Sequence, residues 1–261
     1  MKPNSIIQGE CIQIMSSKFD KGSIDLIFAD PPYNLSGKPL KLKGNKTGGD
    51  WEKVNEAWDQ FDGDAYSAFS LAWISAAAEI LKNSGSMFVC CTHHNLEDVL
   101  RGVRLSGLQI NNIITWQKSN PMPNTTKRLL THSTEFIIWA VKGKGWTFNA
   151  NALRDINPDR QQDGSPRMMR DVWTLPVVQG KERVRDLSGK ALHPTQKPEE
   201  IVRRVVIASS NRGETVLDPF IGSGTTAVVC EREGRLWYGI EREGKYVKAA
   251  RERIRQSKKR R

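Results

Sequence analysis

Cysteine, histidine and long apolar runs are what this 261-residue chain has least of. Its four cysteines, Cys11, Cys90, Cys91 and Cys230, have neither zinc-ligand spacing nor the look of a disulfide framework, so they are expected to be reduced and mostly buried. His93 and His94 follow an apolar run; adjacent residues of an extended segment point to opposite faces, and no carboxylate or cysteine stands at ligand spacing, so no metal is expected and at most one histidine lines a pocket. No run approaches the about 20 apolar residues that a membrane helix needs. Met1 to Ser5 is polar with no apolar stretch behind it, which argues against secretion and anchoring and for a cytoplasmic protein. An acidic excess is also missing. Forty Lys and Arg against 29 Asp and Glu give +11, a surface that attracts polyanions, DNA or RNA first among them.

What is present is organised around Asp30-Pro31-Pro32-Tyr33, which closes the apolar run Ile24 to Ala29. A short apolar run ended by a proline pair reads as a buried strand stopped in a rigid turn, because proline lacks the N–H that a central ladder needs. The turn then lies at the carboxyl edge, where open α/β sheets bind ligands. Asp30 and the Pro31 carbonyl can accept two hydrogen bonds from an exocyclic amine, and Tyr33 offers a face for a planar heterocycle. Such an amine is a poor nucleophile while its lone pair is delocalised; two acceptors drawing its hydrogens from the ring plane push it toward a tetrahedral, reactive form.

A second stretch, Thr215 to Thr226, reads as a strand, a Gly-rich turn and a helix start, the order of a cofactor loop in a doubly wound sheet. About twenty residues on, Leu236 to Glu241 is another strand ending in an acidic residue placed to hold ribose hydroxyls. The expected fold is α/β: a doubly wound, mostly parallel Rossmann-like sheet in one domain with an inserted basic region.

In chain order, Ser5 to Gln8 reads as a first strand, followed by Gly9-Glu10-Cys11 and a helix through Met15. Residues 36–62 hold several lysines and no periodicity, as a mobile DNA-facing loop would, with Lys41, Lys43 and Lys46 meeting phosphates. Ala65 to Leu81 is an amphipathic helix with Phe69, Trp73 and Ile80 on its apolar side, and Ser86 to Cys91 a buried strand. Asn112 to Gln117 and Glu135 to Val141 supply two more strands around a polar excursion. Residues 117–192 carry 13 Lys and Arg against 7 Asp and Glu, a net +6, and are the expected place for groove and phosphate contacts through Lys118, Asn120, Lys127, Arg128, Arg167, Arg170 and Arg183. Residues 193–256 form the cofactor half, with helices from Glu199 to Ser209 and Lys245 to Ile254.

Taken together, Asp30-Pro31-Pro32-Tyr33, the later Asp218-Pro219-Phe220-Ile221-Gly222-Ser223-Gly224-Thr225, Asn120 to Asn124, Thr131 to Glu135 and His193 to Pro198 resemble the amino-methyltransferases that act on DNA with S-adenosyl-L-methionine. The catalytic motif preceding the cofactor motif is similar to the circularly permuted beta group, close to adenine methylases of GATC and GANTC sites. The resemblance implies a catalytic role for Asp30, Pro31, Pro32 and Tyr33. It implies cofactor contacts from Glu10 and Cys11, where the family more often has Asp at the first position, from Asp218, Pro219, Phe220, Gly222, Ser223, Gly224, Thr225 and Glu241, and from Lys197 toward the cofactor carboxylate. It also implies target recognition by the basic insertion, double-stranded DNA as substrate, and, as further partners, a second copy of the chain and a cognate restriction endonuclease. In the family, Asp at the first tetrapeptide position goes mostly with adenine N6 and Ser with cytosine N4, so adenine is favoured. The alternatives are cytosine N4, an RNA amine, or a silent DNA-binding protein. A ring-carbon methylase would need a cysteine nucleophile, typically in a Pro-Cys pair, which the chain lacks. A base inside a duplex must be flipped out before its amine can react.

Overall fold

The computed structural model describes residues 1–34, 41–42, 51–52, 59–61, 64–124, 127–185, 189, 191–192 and 195–259. Most of the expected 36–62 loop, including Lys43 and Lys46, lies outside them, as do His193 and Pro194. Among the described residues, eight strands form one sheet: β1 (Ser5–Gln8), β2 (Ile24–Ala29), β5 (Leu81–Cys91), β6 (Gln109–Lys118), β7 (Thr134–Val141), β8 (Val172–Leu175), β9 (Thr215–Asp218) and β10 (Leu236–Glu241), with β3 (Lys41–Leu42) and β4 (Trp51–Glu52) pairing apart. The spatial order is β1-β10-β9-β2-β5-β7-β6-β8. β7 is antiparallel to both of its neighbours and every other pairing in the sheet is parallel.

β2 explains the layering. Its apolar residues are at most 1% exposed, as a strand covered on both faces must be. Alternation sends Leu26 and Phe28 toward α5 (Glu199–Ser209), α6 (Thr225–Glu233) and α7 (Gly244–Lys259), and Ile27 and Ala29 toward α1 (Cys11–Lys18), α2 (Ala65–Ile80) and α3 (Leu96–Leu105). The polar Asp25 in this strand accepts the Thr215 N–H at 2.9 Å and pairs with Lys82, fixing where β9 begins.

The strand order reverses between β2 and β9. From β2 the chain moves one way, to β5, and from β9 the other way, to β10, while β2 and β9 pair directly through Leu26 with Val216 and Ile27 with Leu217. Such a switch opens a crevice at the carboxyl ends of both strands. Asp30 follows β2 by one residue and Asp218 ends β9, so the two motif-bearing turns are neighbours.

The strands Ile24–Ala29 and Leu236–Glu241 and the helix Glu199–Ser209 have the bounds read from the sequence. β5 instead begins at Leu81, directly after α2, and α7 runs to Lys259 rather than Ile254. The helices α3 and α4 (Ala150–Asp155) and the strand β8 went unread. In α3 the reason is Gly102, a poor helix former kept because a Cβ there would collide with Ile74 of α2. β8 has only four residues, and its one buried side chain is Trp173.

Candidate active site

One cavity of about 300 Å³ occupies the crevice, and Asp30, Pro31, Asp218, Phe220, Gly222 and Glu241 all line it. The two turns recognised separately in the sequence therefore open on a common space. That volume is at the lower end of the range for small-molecule sites.

The catalytic turn is held from outside. Asp59, 2% exposed, accepts the N–H groups of Tyr33 and Asn34 at 2.6 and 2.7 Å, and Asn34 in return accepts the Phe61 N–H at 2.9 Å. The Tyr66 hydroxyl donates to the Pro32 carbonyl at 2.7 Å and itself accepts from Asn95 at 2.7 Å. Among the described residues no donor meets the Pro31 carbonyl.

Asp30 sits in a buried charge cluster. Lys197 Nζ lies 2.8 and 2.9 Å from its two oxygens and 3.5 Å from Glu135, and the other Glu135 oxygen is 2.7 Å from Lys118. The Tyr33 hydroxyl donates to Asp30 Oδ1 at 2.8 Å and lies 3.4 Å from Glu135. Burial pushes the Asp30 carboxyl upward while Lys197 opposes it. For Lys197 burial disfavours the ammonium, yet Asp30 and Glu135 outweigh it and hold the lysine above its ordinary range. Burial also works against the Glu135 carboxylate, but Lys197 and Lys118 keep it below the usual range and ionised.

The fold sets the surroundings of two further expected site residues. Lys197, expected at the cofactor carboxylate, lines the cavity and is 6% exposed, with its ammonium paired to Asp30 and Glu135. The buried carboxylates are the nearer demand on its charge. Tyr33 lines the turn but not the cavity; its ring lies under the Lys197 ammonium at 4.9 Å. The aromatic side chains that line the cavity are Phe28, Phe61, Phe69, Phe220 and Tyr246. Phe220 is fixed edge-on to Trp73, at 5.2 Å between centroids.

The cofactor loop is braced by acidic side chains. Asp218 accepts the Phe220 N–H at 2.9 Å and the Thr226 hydroxyl at 2.5 Å, and burial pushes its carboxyl up to about 7. Glu241 accepts the N–H groups of Gly222 at 3.1 Å and Glu243 at 2.8 Å, so part of its capacity serves the loop; its remaining lone pairs are what hydroxyls could use. Gly224 has φ +82°, and a Cβ there would stand 3.1 Å from that of Ala250, so the turn into α6 comes close to α7. Arg253 of α7 reaches the Ser223 carbonyl and the Thr225 hydroxyl at 3.2 and 2.9 Å. Next to Glu241, whose carbonyl accepts the Gly9 N–H at 2.9 Å, Glu10 caps α1 through the Gln13 N–H at 2.9 Å, and Cys11 donates its thiol to Glu10 at 3.3 Å. Pro219, Ser223, Thr225, Glu10 and Cys11 all line the cavity.

Residues expected to meet DNA fall into two groups. Lys127, Arg128, Arg167 and Arg170 are exposed. Lys118 is committed to Glu135, and the Asn120 side chain accepts the Val177 N–H at 2.7 Å, bracing β8. Arg183 lines a second cavity near α7, with Arg232 and Arg253. Lys41 falls in β3. His93 and His94 do not diverge: they lie in a turn with rings 3.8 Å apart, His93 also stacks on His132 at 4.5 Å, and neither lines the main cavity. Among the described residues no cluster of metal-ligating side chains is found, and no helix is long and apolar enough to cross a membrane.

Sequence reasoning missed Asp59, Phe61, Tyr66 and Glu135 as parts of the site. Only Glu135 carried a signal, its place at the start of a strand that emerges at the same sheet edge.

A family model described as DNA methylase, of the N6 and N4 amino-methyltransferases, matches residues 24–252. The chain is 39% identical over 245 residues to the type II methyltransferase M2.DpnII of Streptococcus pneumoniae, covering 91% of this chain and 85% of that protein. It is 37% identical over 260 residues to the type II methyltransferase M.HinfI of Haemophilus influenzae, covering 98% and 69%. The crystal structure of the M1.HpyAVI–SAM complex superposes with a TM-score of 0.68 at 25% identity, covering 96% of this chain and 98% of that one.

Proposed function

This chain belongs to the DNA methylase family, and from that membership we propose that it transfers the methyl group of S-adenosylmethionine to the N6 amine of an adenine flipped out of duplex DNA. The observation that carries the reading is the shared cavity, in which Asp30 and Pro31 of the catalytic turn stand beside the Gly-rich turn at the start of α6.

The residues present fit the cofactor. Glu10 and Glu241 offer carboxylate oxygens to hydroxyl and amine donors, Phe220 gives a fixed aromatic face to an adenine ring, and the turn through Gly222, Ser223 and Thr225 lines the cavity, with Gly224 packed against Ala250 of α7 behind it. S-adenosylmethionine supplies an already activated sulfonium methyl. The protein's part is then to expel water, to align the amine with Asp30 and the Pro31 carbonyl, and to keep acceptors where the amine sheds its proton. No covalent enzyme intermediate is required. Phe61 and Phe69 supply apolar surface at the cavity, and Lys127, Arg128, Arg167 and Arg170 supply exposed cations for the DNA backbone. The net charge of +11 favours a polyanionic substrate, and the match to type II methyltransferases supports a cytoplasmic enzyme acting beside a cognate endonuclease.

A labelled-methyl assay on duplex DNA, RNA and homopolymers, followed by methylation-sensitive sequencing of DNA from expressing cells, tests this. Label in adenine N6 of duplex DNA is expected; label in cytosine N4 or RNA, or none, overturns it.

A further inference from the structure

Lys197 is the least hydrated cation of the site, at 6% exposure, and nothing in methyl transfer by itself calls for a lysine. Its surroundings show what it does. Asp30 Oδ1 already accepts from the Tyr33 hydroxyl and from Lys197, whereas Oδ2 accepts from Lys197 alone among the described residues. An ionised carboxylate has about four lone-pair places, so the fourth, on Oδ2, is open. Pro31 lines the same cavity, and among the described residues no donor meets its carbonyl. We propose that Lys197 is the positioning residue of the transfer: it holds Asp30 turned and ionised with one acceptor place free for the substrate amine, and Glu135 holds the lysine there.

The inference rests on the reading that Asp30 receives that amine. The groups facing Asp30 are Lys197, Glu135, Tyr33, Cys90 and, across the crevice, Asp218. Behind Glu135 stands Lys118, so two ammonium groups and two carboxylates balance, and neither carboxylate needs a proton to remain buried. Removing Lys197 leaves Asp30 and Glu135 as two buried carboxylates sharing the Tyr33 hydroxyl, the arrangement in which one carboxyl retains a proton. A protonated Asp30 has turned an acceptor into a donor and no longer suits an N–H. Glu135, with its own lysine, holds Lys197 against Asp30 at the cavity wall.

The test is Lys197→Met, assayed for labelled-methyl transfer to duplex DNA at saturating cofactor across pH, with cofactor affinity measured by titration calorimetry. The turnover rate is expected to fall roughly 100-fold near neutral pH, with cofactor Kd within about threefold and the acid limb of the rate profile displaced to higher pH. Lys197→Arg should recover part of the rate. The charge-balanced Lys197→Met/Glu135→Gln variant should bring the acid limb back toward the parental position, because the repelling carboxylate is gone; it also decides the matter if the single variant does not fold. A purely structural lysine would not move the limb in opposite directions. A large loss of cofactor affinity with unchanged saturated rate would assign Lys197 to the cofactor carboxylate and overturn the proposal, as would an unmoved acid limb. Failure of the parental protein to methylate DNA would instead strike the underlying reading.

Discussion

Asp59 and Tyr33 stand 26 positions apart, and the carboxylate of the first receives the backbone N–H of the second at 2.6 Å, with the N–H of Asn34 beside it. A side chain from beyond the lysine-rich segment thus sets the path by which the chain leaves the catalytic turn. Asp59→Ala strips two amides of their partner and is expected to cost about 1–3 kcal/mol. It should also lower turnover while leaving cofactor affinity near parental. Denaturant unfolding and methyl-transfer rates check both; parental turnover would show that the turn keeps its shape unaided.

Asp30→Ala should abolish methyl transfer with cofactor binding largely retained, since the cofactor loop is braced by Asp218, Glu241 and Arg253 and not by Asp30. Parental turnover in this variant would remove Asp30 from the chemistry.

Gly239 lies in β10 directly beneath the cofactor loop, where an added Cβ would run into the Ile221 side chain. Gly239→Ala is expected to lose about 1–3 kcal/mol by overpacking and to weaken cofactor binding several-fold, read by thermal unfolding with and without cofactor.

The Asp218 carboxyl, pushed from its ordinary 3.8 up to about 7 by burial, binds a proton more tightly folded than unfolded. Its contribution to stability is therefore full below its unfolded value and declines as pH rises through the folded one. In Asp218→Asn that decline is absent. Relative to the parent, the variant should gain stability steadily between about pH 4 and pH 7, and a melting-temperature difference flat across that window would contradict the assignment.

Exposed and internally paired lysines should part company on DNA. Lys127→Gln and Arg170→Gln are each expected to reduce the slope of log affinity against log salt by about one, as lost phosphate contacts do. Lys118→Gln, whose ammonium is held by Glu135, should leave that slope unchanged and lower the turnover rate. Binding isotherms across a salt series discriminate the two.

Much of this site was legible in the sequence because strand ends announce themselves. A proline pair after five apolar residues and a Gly-rich turn after another short strand locate Asp30 and Gly222 without coordinates. What was not legible comes from long-range pairing. That Lys197 meets Asp30, 167 positions away, is set by the fold alone. Asp59 stands among residues without periodicity, and only three-dimensional proximity gives it a task. The pairing of Lys118 with Glu135, and the meeting of the Tyr33 hydroxyl with Asp30 and of its ring with a cation, leave no local pattern either. His93 and His94 were assigned opposite faces from strand geometry, whereas β5 has already ended before them.

The pairing of β1 with β10, Ser5 against Tyr238 through Gln8 against Glu241, and of β2 with β9, Leu26 against Val216, ties together segments far apart along the chain. Contacts of such separation carry a loop-closure cost and slow folding. The proline turn and the Gly-rich turn are therefore brought face to face by the same long-range closure that completes the sheet, so the crevice between them forms together with the sheet.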